Sequence, residues 1–191
     1  DEPEMAATVA ESLRADGVKL RVGARAQAVT PAPDGGGSIL CTGDDGTESH
    51  VDFDAILVAV GRRPNVHGFG LEEIGINAAP EAGGVVETDD YLATLHPNIF
   101  ACGDVAGPYQ FTHAAAHQAW YAAVNALFGQ FRQFAVDYRV IPRVTYTEPE
   151  LASVGIGEAQ ARADGVEYEI TRYGLDDLDR AIVDGEARGE V

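Results

Sequence analysis

Gly103 and Asp104 are the residues whose types and position point most directly to chemistry. They follow the apolar segment 99–102, for which the sequence predicts a short strand after a turn at His96-Pro97-Asn98. A carboxylate at the carboxyl end of a strand lies where open α/β sheets bind ligands, and it can accept hydrogen bonds from sugar hydroxyls. The missing side chain at Gly103 leaves room for a bulky ligand beside the backbone.

A long helix is predicted to begin near Thr112 and to end at Gly129. The backbone N–H groups of a first helical turn have no partner within the helix, so they can face an electron-rich ligand edge. Asp104 and this helix start together predict one half of a cofactor cradle. His113 and His117 share a helix face, but the glutamate of a zinc HExxH motif is absent and no third ligand is near in sequence. We therefore expect two imidazoles near a cofactor or at the helix surface, and no metal site.

The segment Asp54–Val60 is continuously apolar after its first residue, which predicts a strand buried on both faces. Gly61 and Arg62 follow it directly. A glycine next to arginines suits the close approach of a dinucleotide and the pairing of its phosphates. The alternative is an exposed crossover in which Arg62 and Arg63 make surface ion pairs.

Three stretches resemble motifs of the FAD-dependent pyridine nucleotide-disulfide oxidoreductases, the family of glutathione reductase, dihydrolipoamide dehydrogenase and mercuric reductase. TLHPNIFACGDVAG at 94–107 is similar to the second FAD-binding signature of that family, and AVGRRPN at 59–65 to its strand end and crossover. YTEPELASVG at 146–155 resembles the opening of its C-terminal dimerisation domain. The three motifs stand in the order and spacing of the family, and the residues around the helix at 112 resemble mercuric-reductase-like members most.

The resemblance implies an α/β fold with a partial doubly wound FAD/NAD(P)-binding sheet and a β-meander, followed by part of an α+β dimerisation domain. Residues 1–65 would be the C-terminal part of the NAD(P)-binding domain, and 66–133 that of the FAD-binding domain. Residues 134–191 would begin the dimerisation domain, through which a homodimer is expected.

The resemblance also implies roles for eight residues, all in binding FAD or NAD(P)H and none of them catalytic. Asp104, next to Gly103, would accept a hydrogen bond from the FAD ribityl chain, and Arg62 would lie near the pyrophosphate. Gly61 would line the NAD(P) site.

The other four expected positions are at the flavin ring and the nicotinamide. The backbone N–H groups of Phe111, Thr112 or His113 would face the flavin pyrimidine edge, although many relatives have proline where His113 stands. Val144 would approach the nicotinamide, with ordinary strand packing as the alternative.

Local patterns predict further elements along the chain. Helices are expected at 4–15, at 71–74 as a short turn, and at 158–163. Strands are expected at 18–22, 38–41, 47–53, 85–87, 140–146, 151–154 and 168–173. The pair at 38–41 and 47–53, joined by an Asp-Gly turn, predicts an antiparallel meander.

Composition excludes some functions and leaves others open. The net charge of −18 disfavours nucleic acid as a partner. No apolar run could cross a bilayer and no export segment is present, so we expect a cytoplasmic protein. Cys41 and Cys102 match no redox or metal spacing, and Cys102 is expected to be buried.

Several motifs that the family's reaction requires do not occur in the chain, namely GxGxxG, the redox CxxxxC and the C-terminal His-Glu pair. We therefore expect a fragment that is inactive alone and binds FAD weakly. The full-length protein is expected to be an FAD-dependent NAD(P)H disulfide oxidoreductase. The alternatives are an NADH oxidase, flavin monooxygenase or other FAD oxidoreductase without a redox disulfide, and a non-catalytic dimerisation module.

Overall fold

The computed structural model describes residues 2–33, 35–79 and 83–191. The chain forms two compact units, one of Val60–Ile141 and one that joins Asp1–Ala59 to Pro142–Val191. Both combine helices with small sheets, in agreement with the α/β and α+β character expected. The domain boundaries at 65 and 133 remain a prediction.

The discontinuous unit begins with helix α1 (Pro3–Ala15), as predicted. Proline in its first turn and Glu4 beside the positive helix end favour this start. Gly17 ends the helix because its φ of 89° lies in the left-handed region that favours glycine. The predicted meander follows as β1 (Ala24–Pro31), β2 (Gly37–Gly43) and β3 (Glu48–Phe53), antiparallel in that order.

Two segments within residues 18–60 that were predicted as strands are not strands. Residues 18–22 and 54–60 pair with no strand in the part of the chain that the structure describes. Leu57, expected in a buried strand, is 91% exposed. A parallel strand forms only when neighbouring strands supply hydrogen bonds, and the apolar pattern alone does not supply them.

The C-terminal part of the same unit has a two-stranded antiparallel sheet of β6 (Arg143–Thr145) and β7 (Leu151–Ser153), followed by α3 (Glu158–Ala163). These elements were predicted, with the strands shorter than expected. The strand predicted at 168–173 is wrong, since a single bridge between Gly174 and Glu190 is the nearest pairing. Helix α4 (Asp179–Asp184) was not predicted.

The unit Val60–Ile141 contains the 3-10 turn Glu72–Ile74, strands β4 (Ala78–Ala79) and β5 (Val85–Val86), and the long helix α2 (Thr112–Phe128). Strands β4 and β5 pair antiparallel. The unit has an apolar core of Val66, Ile76, Val86 and Ala101, against which Leu71, Ile99 and Val105 pack.

The segment 99–102 is extended but is not a full strand. It makes one antiparallel bridge, Ala93 to Phe100, and Ala101 N donates to Leu92 O over 3.1 Å. Side chains alternate along it, so Ala101 is buried whereas Cys102 is exposed. The expectation that Cys102 is buried is therefore wrong.

Candidate functional site

Gly103 and Asp104 lie in a 3-10 turn, Gly103–Val105, that follows the extended segment. Gly103 is buried and has a φ of 80°, in the left-handed region that side chains disfavour. A Cβ atom at Gly103 would lie 3.3 Å from Cβ of Ala115, one turn into α2. Two small residues therefore let the turn pack directly against the helix.

Gln118 of α2 holds this turn and was missed by the sequence analysis. Its side chain is fully buried, with an exposed fraction of 0%. Its Oε1 accepts a hydrogen bond from Gly103 N over 2.5 Å, and its Nε2 donates to Gly107 O over 2.5 Å. The spacing of Gln118 could have identified it. Gln118 lies four residues from both Ala114 and Ala122, which places it on the same buried face of the helix.

Asp104 is only partly buried, and no residue that the structure describes donates a hydrogen bond to its carboxylate. Both carboxylate oxygens are thus available to donors of a ligand. The backbone of the turn is closed by a hydrogen bond from Ala106 N to Gly103 O over 2.9 Å. A sugar or ribityl hydroxyl is the kind of donor that such a carboxylate accepts.

The N-terminus of α2 has no side-chain cap. Phe111 is the N-cap residue, its side chain makes no capping hydrogen bond, and the first turn holds no acidic residue. Thr112 and His113 are exposed, and the His113 ring stacks on Phe111 at 5.3 Å between centroids. An uncapped helix start with aromatic rings beside it offers positive potential and a flat apolar surface.

Gly61, Arg62 and Phe111 line one surface groove of about 970 Å³. Arg62 Nη1 donates to the backbone oxygen of Gln110 over 3.2 Å, so the guanidinium is attached to the loop that leads into α2. Gly61 has a φ of 114°. The same groove is bordered by Ala106 and neighbouring residues, the loop that follows Asp104.

Asp137 and Tyr138 belong to a segment that contacts α2 at His117 and Gln118. The Tyr138 hydroxyl accepts a hydrogen bond from Gln118 Nε2 over 2.8 Å, and burial raises the pKa of this tyrosine above its ordinary value. His117 Nε2 lies 2.9 Å from Asp137 O. The Arg139 guanidinium hydrogen-bonds the Asp137 carboxylate and holds its pKa well below the usual range.

Val144 lies in the other unit, on β6, where it pairs with Ala152 and is 37% exposed. Its expected approach to a nicotinamide remains a prediction. The other seven predicted positions all belong to Val60–Ile141.

Two sequence-family models match the chain. One described as pyridine nucleotide-disulphide oxidoreductase matches residues 1–119, and its dimerisation domain matches 141–191. The chain belongs to the pyridine nucleotide-disulphide oxidoreductase family. The resemblance seen in the sequence, and the fold class that it implied, are confirmed.

Individual relatives agree with this assignment. A mercuric reductase of Streptomyces lividans is 37% identical in an alignment of 192 positions that covers 100% of this chain and 39% of the relative. A dihydrolipoyl dehydrogenase of Bacillus subtilis is 36% identical over 190 residues, 98% of this chain and 39% of the relative. The chain thus spans about two fifths of the length of these relatives.

Solved structures give the same result. LpdA from Mycobacterium tuberculosis superposes with a TM-score of 0.83 at 29% identity, over 99% of this chain and 39% of that one. The HOCl-induced flavoprotein disulfide reductase RclA from Escherichia coli gives 0.80 at 26% identity, over 100% of this chain and 42% of that one.

Proposed function

We propose that this chain forms one wall of the FAD site of an NAD(P)H-linked flavoprotein oxidoreductase of the disulfide reductase type. The observation that carries the proposal is the Asp104 carboxylate, which has no hydrogen-bond donor among the described residues and stands on a turn packed against α2. An unpaired, partly exposed carboxylate beside an uncapped helix start is free to accept hydrogen bonds from the hydroxyl groups of a ligand.

The residues present fit FAD. Asp104 would hold a ribityl hydroxyl, because a carboxylate accepts two or more hydrogen bonds. The backbone N–H groups at Thr112 and His113 would face the electron-rich pyrimidine edge, where the positive end of α2 favours negative charge. Arg62, in the groove beside them, would bind the pyrophosphate, for which a guanidinium is well suited.

FAD, when bound, supplies the capacity to take a hydride from a nicotinamide and pass electrons on to a disulfide. The residues of this chain bind and orient. The left-handed Gly103 keeps side-chain atoms away from the turn, and Gly61 would do the same for the dinucleotide. Val144 would contact the nicotinamide.

The substrate class we propose is a disulfide or a metal ion. The identities to a mercuric reductase and to a dihydrolipoyl dehydrogenase, 37% and 36%, favour neither over the other. The match of 141–191 to a dimerisation domain supports a homodimer through the C-terminal residues. Among the described residues no helix is long and apolar enough to cross a bilayer. A cytoplasmic location and the absence of nucleic acid as a partner remain predictions.

The test is an NMR titration of the ¹⁵N-labelled chain with FAD, because chemical shifts detect even the weak binding expected here. We expect shifts concentrated at Gly103, Asp104 and Thr112. Asp104→Asn removes the charge from the acceptor, and hydrogen bonds to charged groups contribute about 1.5–3 kcal/mol. The dissociation constant should therefore rise roughly 10- to 150-fold.

Asp137→Asn is the matched control, since Asp137 lies in the same unit but its carboxylate is already held by Arg139. It should leave FAD affinity unchanged within a factor of about 2. The proposal is wrong if FAD shifts only residues away from the turn and from α2, or if the two variants weaken binding equally.

A further inference from the structure

We propose that Gln118 is a positioning residue for FAD: its buried carboxamide fixes the turn that carries Asp104, and so determines how well that carboxylate meets the cofactor. The inference rests on the proposed function, and it goes further by assigning the site's geometry to a residue that does not touch the ligand.

The Gln118 carboxamide holds both ends of the segment 103–107. Its oxygen accepts from Gly103 N and its nitrogen donates to Gly107 O, each over 2.5 Å. Asp104 is the second residue of this five-residue segment. Because both ends are hydrogen-bonded to one planar group on α2, the Gln118 side chain restrains the turn relative to the helix.

Only a carboxamide satisfies this set of partners. One acceptor meets Gly103 N, and two N–H donors meet Gly107 O and the Tyr138 hydroxyl, the latter over 2.8 Å. A carboxylate of the same shape has no donor, and an apolar side chain has neither donor nor acceptor. Because the Gln118 side chain is 0% exposed, water cannot replace a hydrogen-bond partner that a substitution removes.

Asn125, two turns further along α2, separates positioning from plain structural support. It is also buried, 4% exposed, and also makes three hydrogen bonds. Its partners are Tyr91 O and both backbone groups of Phe134, none of them in the segment 103–107. The two amides therefore share their chemistry, their helix and their burial, but only one of them holds the turn with Asp104.

The experiment compares Gln118→Glu with Asn125→Asp in the 191-residue chain. Urea unfolding is followed by fluorescence of the single tryptophan, Trp120, which lies on α2. Amide hydrogen exchange at Gly103 reports the turn, and FAD titration by NMR reports the affinity. All three are measured in the parent chain at the same pH values, so any pH dependence that does not arise from residue 118 is accounted for.

We expect Q118E to accelerate amide hydrogen exchange at Gly103. It should also weaken FAD binding roughly tenfold near pH 7, which corresponds to about 1.4 kcal/mol of binding free energy. The affinity should recover at lower pH, because a protonated carboxylic acid again donates to Gly107 O. Burial raises the pKa of such an acid, so recovery falls within roughly pH 5–7. Tyr138, the titratable group in contact, stays neutral there.

N125D should destabilise the chain comparably but leave FAD affinity and Gly103 exchange within roughly twofold of the parent. If Q118E does not fold near pH 7, Gln118→Met of similar volume takes its place and should weaken FAD binding at every pH without recovery.

The outcomes distinguish the two proposals. A parent chain that shows no FAD-dependent shift at Gly103 or Asp104 contradicts the proposed function itself. A parent chain that binds FAD, together with a folded Gln118 variant that binds equally well or loses no more affinity than N125D, contradicts the positioning role alone.

Discussion

The two units of this chain differ in what determines their structure. Of the apolar side chains that are buried in the described residues, all but Ala161 lie within Val60–Ile141. The buried amides Gln118 and Asn125 lie there as well. In the other unit, by contrast, every residue of β1 is exposed and every residue of β2 is only partly buried.

This difference indicates that the candidate site depends on side-chain packing, whereas the meander depends on its backbone ladder. The β1–β2 and β2–β3 pairings run along nearly the whole of each strand. Such ladders tolerate changes of exposed side chains, while a close-packed core responds to the loss of a few methylene groups. The comparison can be tested by single substitutions in each unit.

The largest effect is expected for Ile76→Ala, in the core of Val60–Ile141. Ile76 is 3% exposed, and truncation of a buried isoleucine to alanine costs about 2–5 kcal/mol. Urea unfolding followed by Trp120 fluorescence measures the loss. The control is Leu57→Ala in the other unit, 91% exposed, which should change stability by no more than about 0.5 kcal/mol. Equal losses for the two variants would remove the contrast between the units.

A smaller effect is expected for Gly37→Ala, at the start of β2, the central strand of the meander. A Cβ atom there would lie 2.6 Å from Thr30 O and 2.7 Å from the Phe53 ring, so the strands must shift. Overpacking of this kind costs about 1–3 kcal/mol. Amide hydrogen exchange across β1, β2 and β3 measures it. Ser38→Ala, at the next position of the same strand, is the control. It adds no atoms and removes only the hydrogen bond between Ser38 Oγ and His50 Nδ1, so it should change exchange less than Gly37→Ala does. Similar protection in both variants would mean that the ladder absorbs the added methyl group.

The sequence predicted the elements whose causes are local. Helices α1, α2 and α3 were found from the spacing of apolar residues and from glycines at or just beyond their ends, and the meander from alternation around the Asp45-Gly46 turn. The prediction of a strand at 54–60 was wrong for a different reason. Its apolar run describes a strand inside a sheet, and whether it forms depends on partners that local sequence does not contain.

The candidate site divides in the same way between residues that local sequence indicates and residues that only the fold brings in. Asp104 could be proposed because it follows an apolar segment at a recognisable position, whereas the role of Arg62 was implied by the family resemblance. Gln118 was missed because its role depends on Gly103 and Gly107, which reach it only through the fold. The family resemblance also named Val144, whose expected role depends on contacts that no local pattern specifies.

The smallest effect is expected for Arg139→Gln, on the surface of Val60–Ile141. The Arg139 guanidinium holds the pKa of Asp137 below 3.8, its ordinary value. A carboxyl group whose pKa is lowered by folding stabilises the folded state above its unfolded pKa, and this contribution disappears as pH falls through the folded pKa. The urea midpoint of the variant should thus lie slightly below that of the parent at pH 7, and the difference should shrink below about pH 4. Because both side chains are largely solvated, the effect should be far smaller than that of Ile76→Ala. A loss at pH 7 comparable to that of Ile76→Ala would mean that surface charge, and not burial, determines the stability of the unit that carries the site.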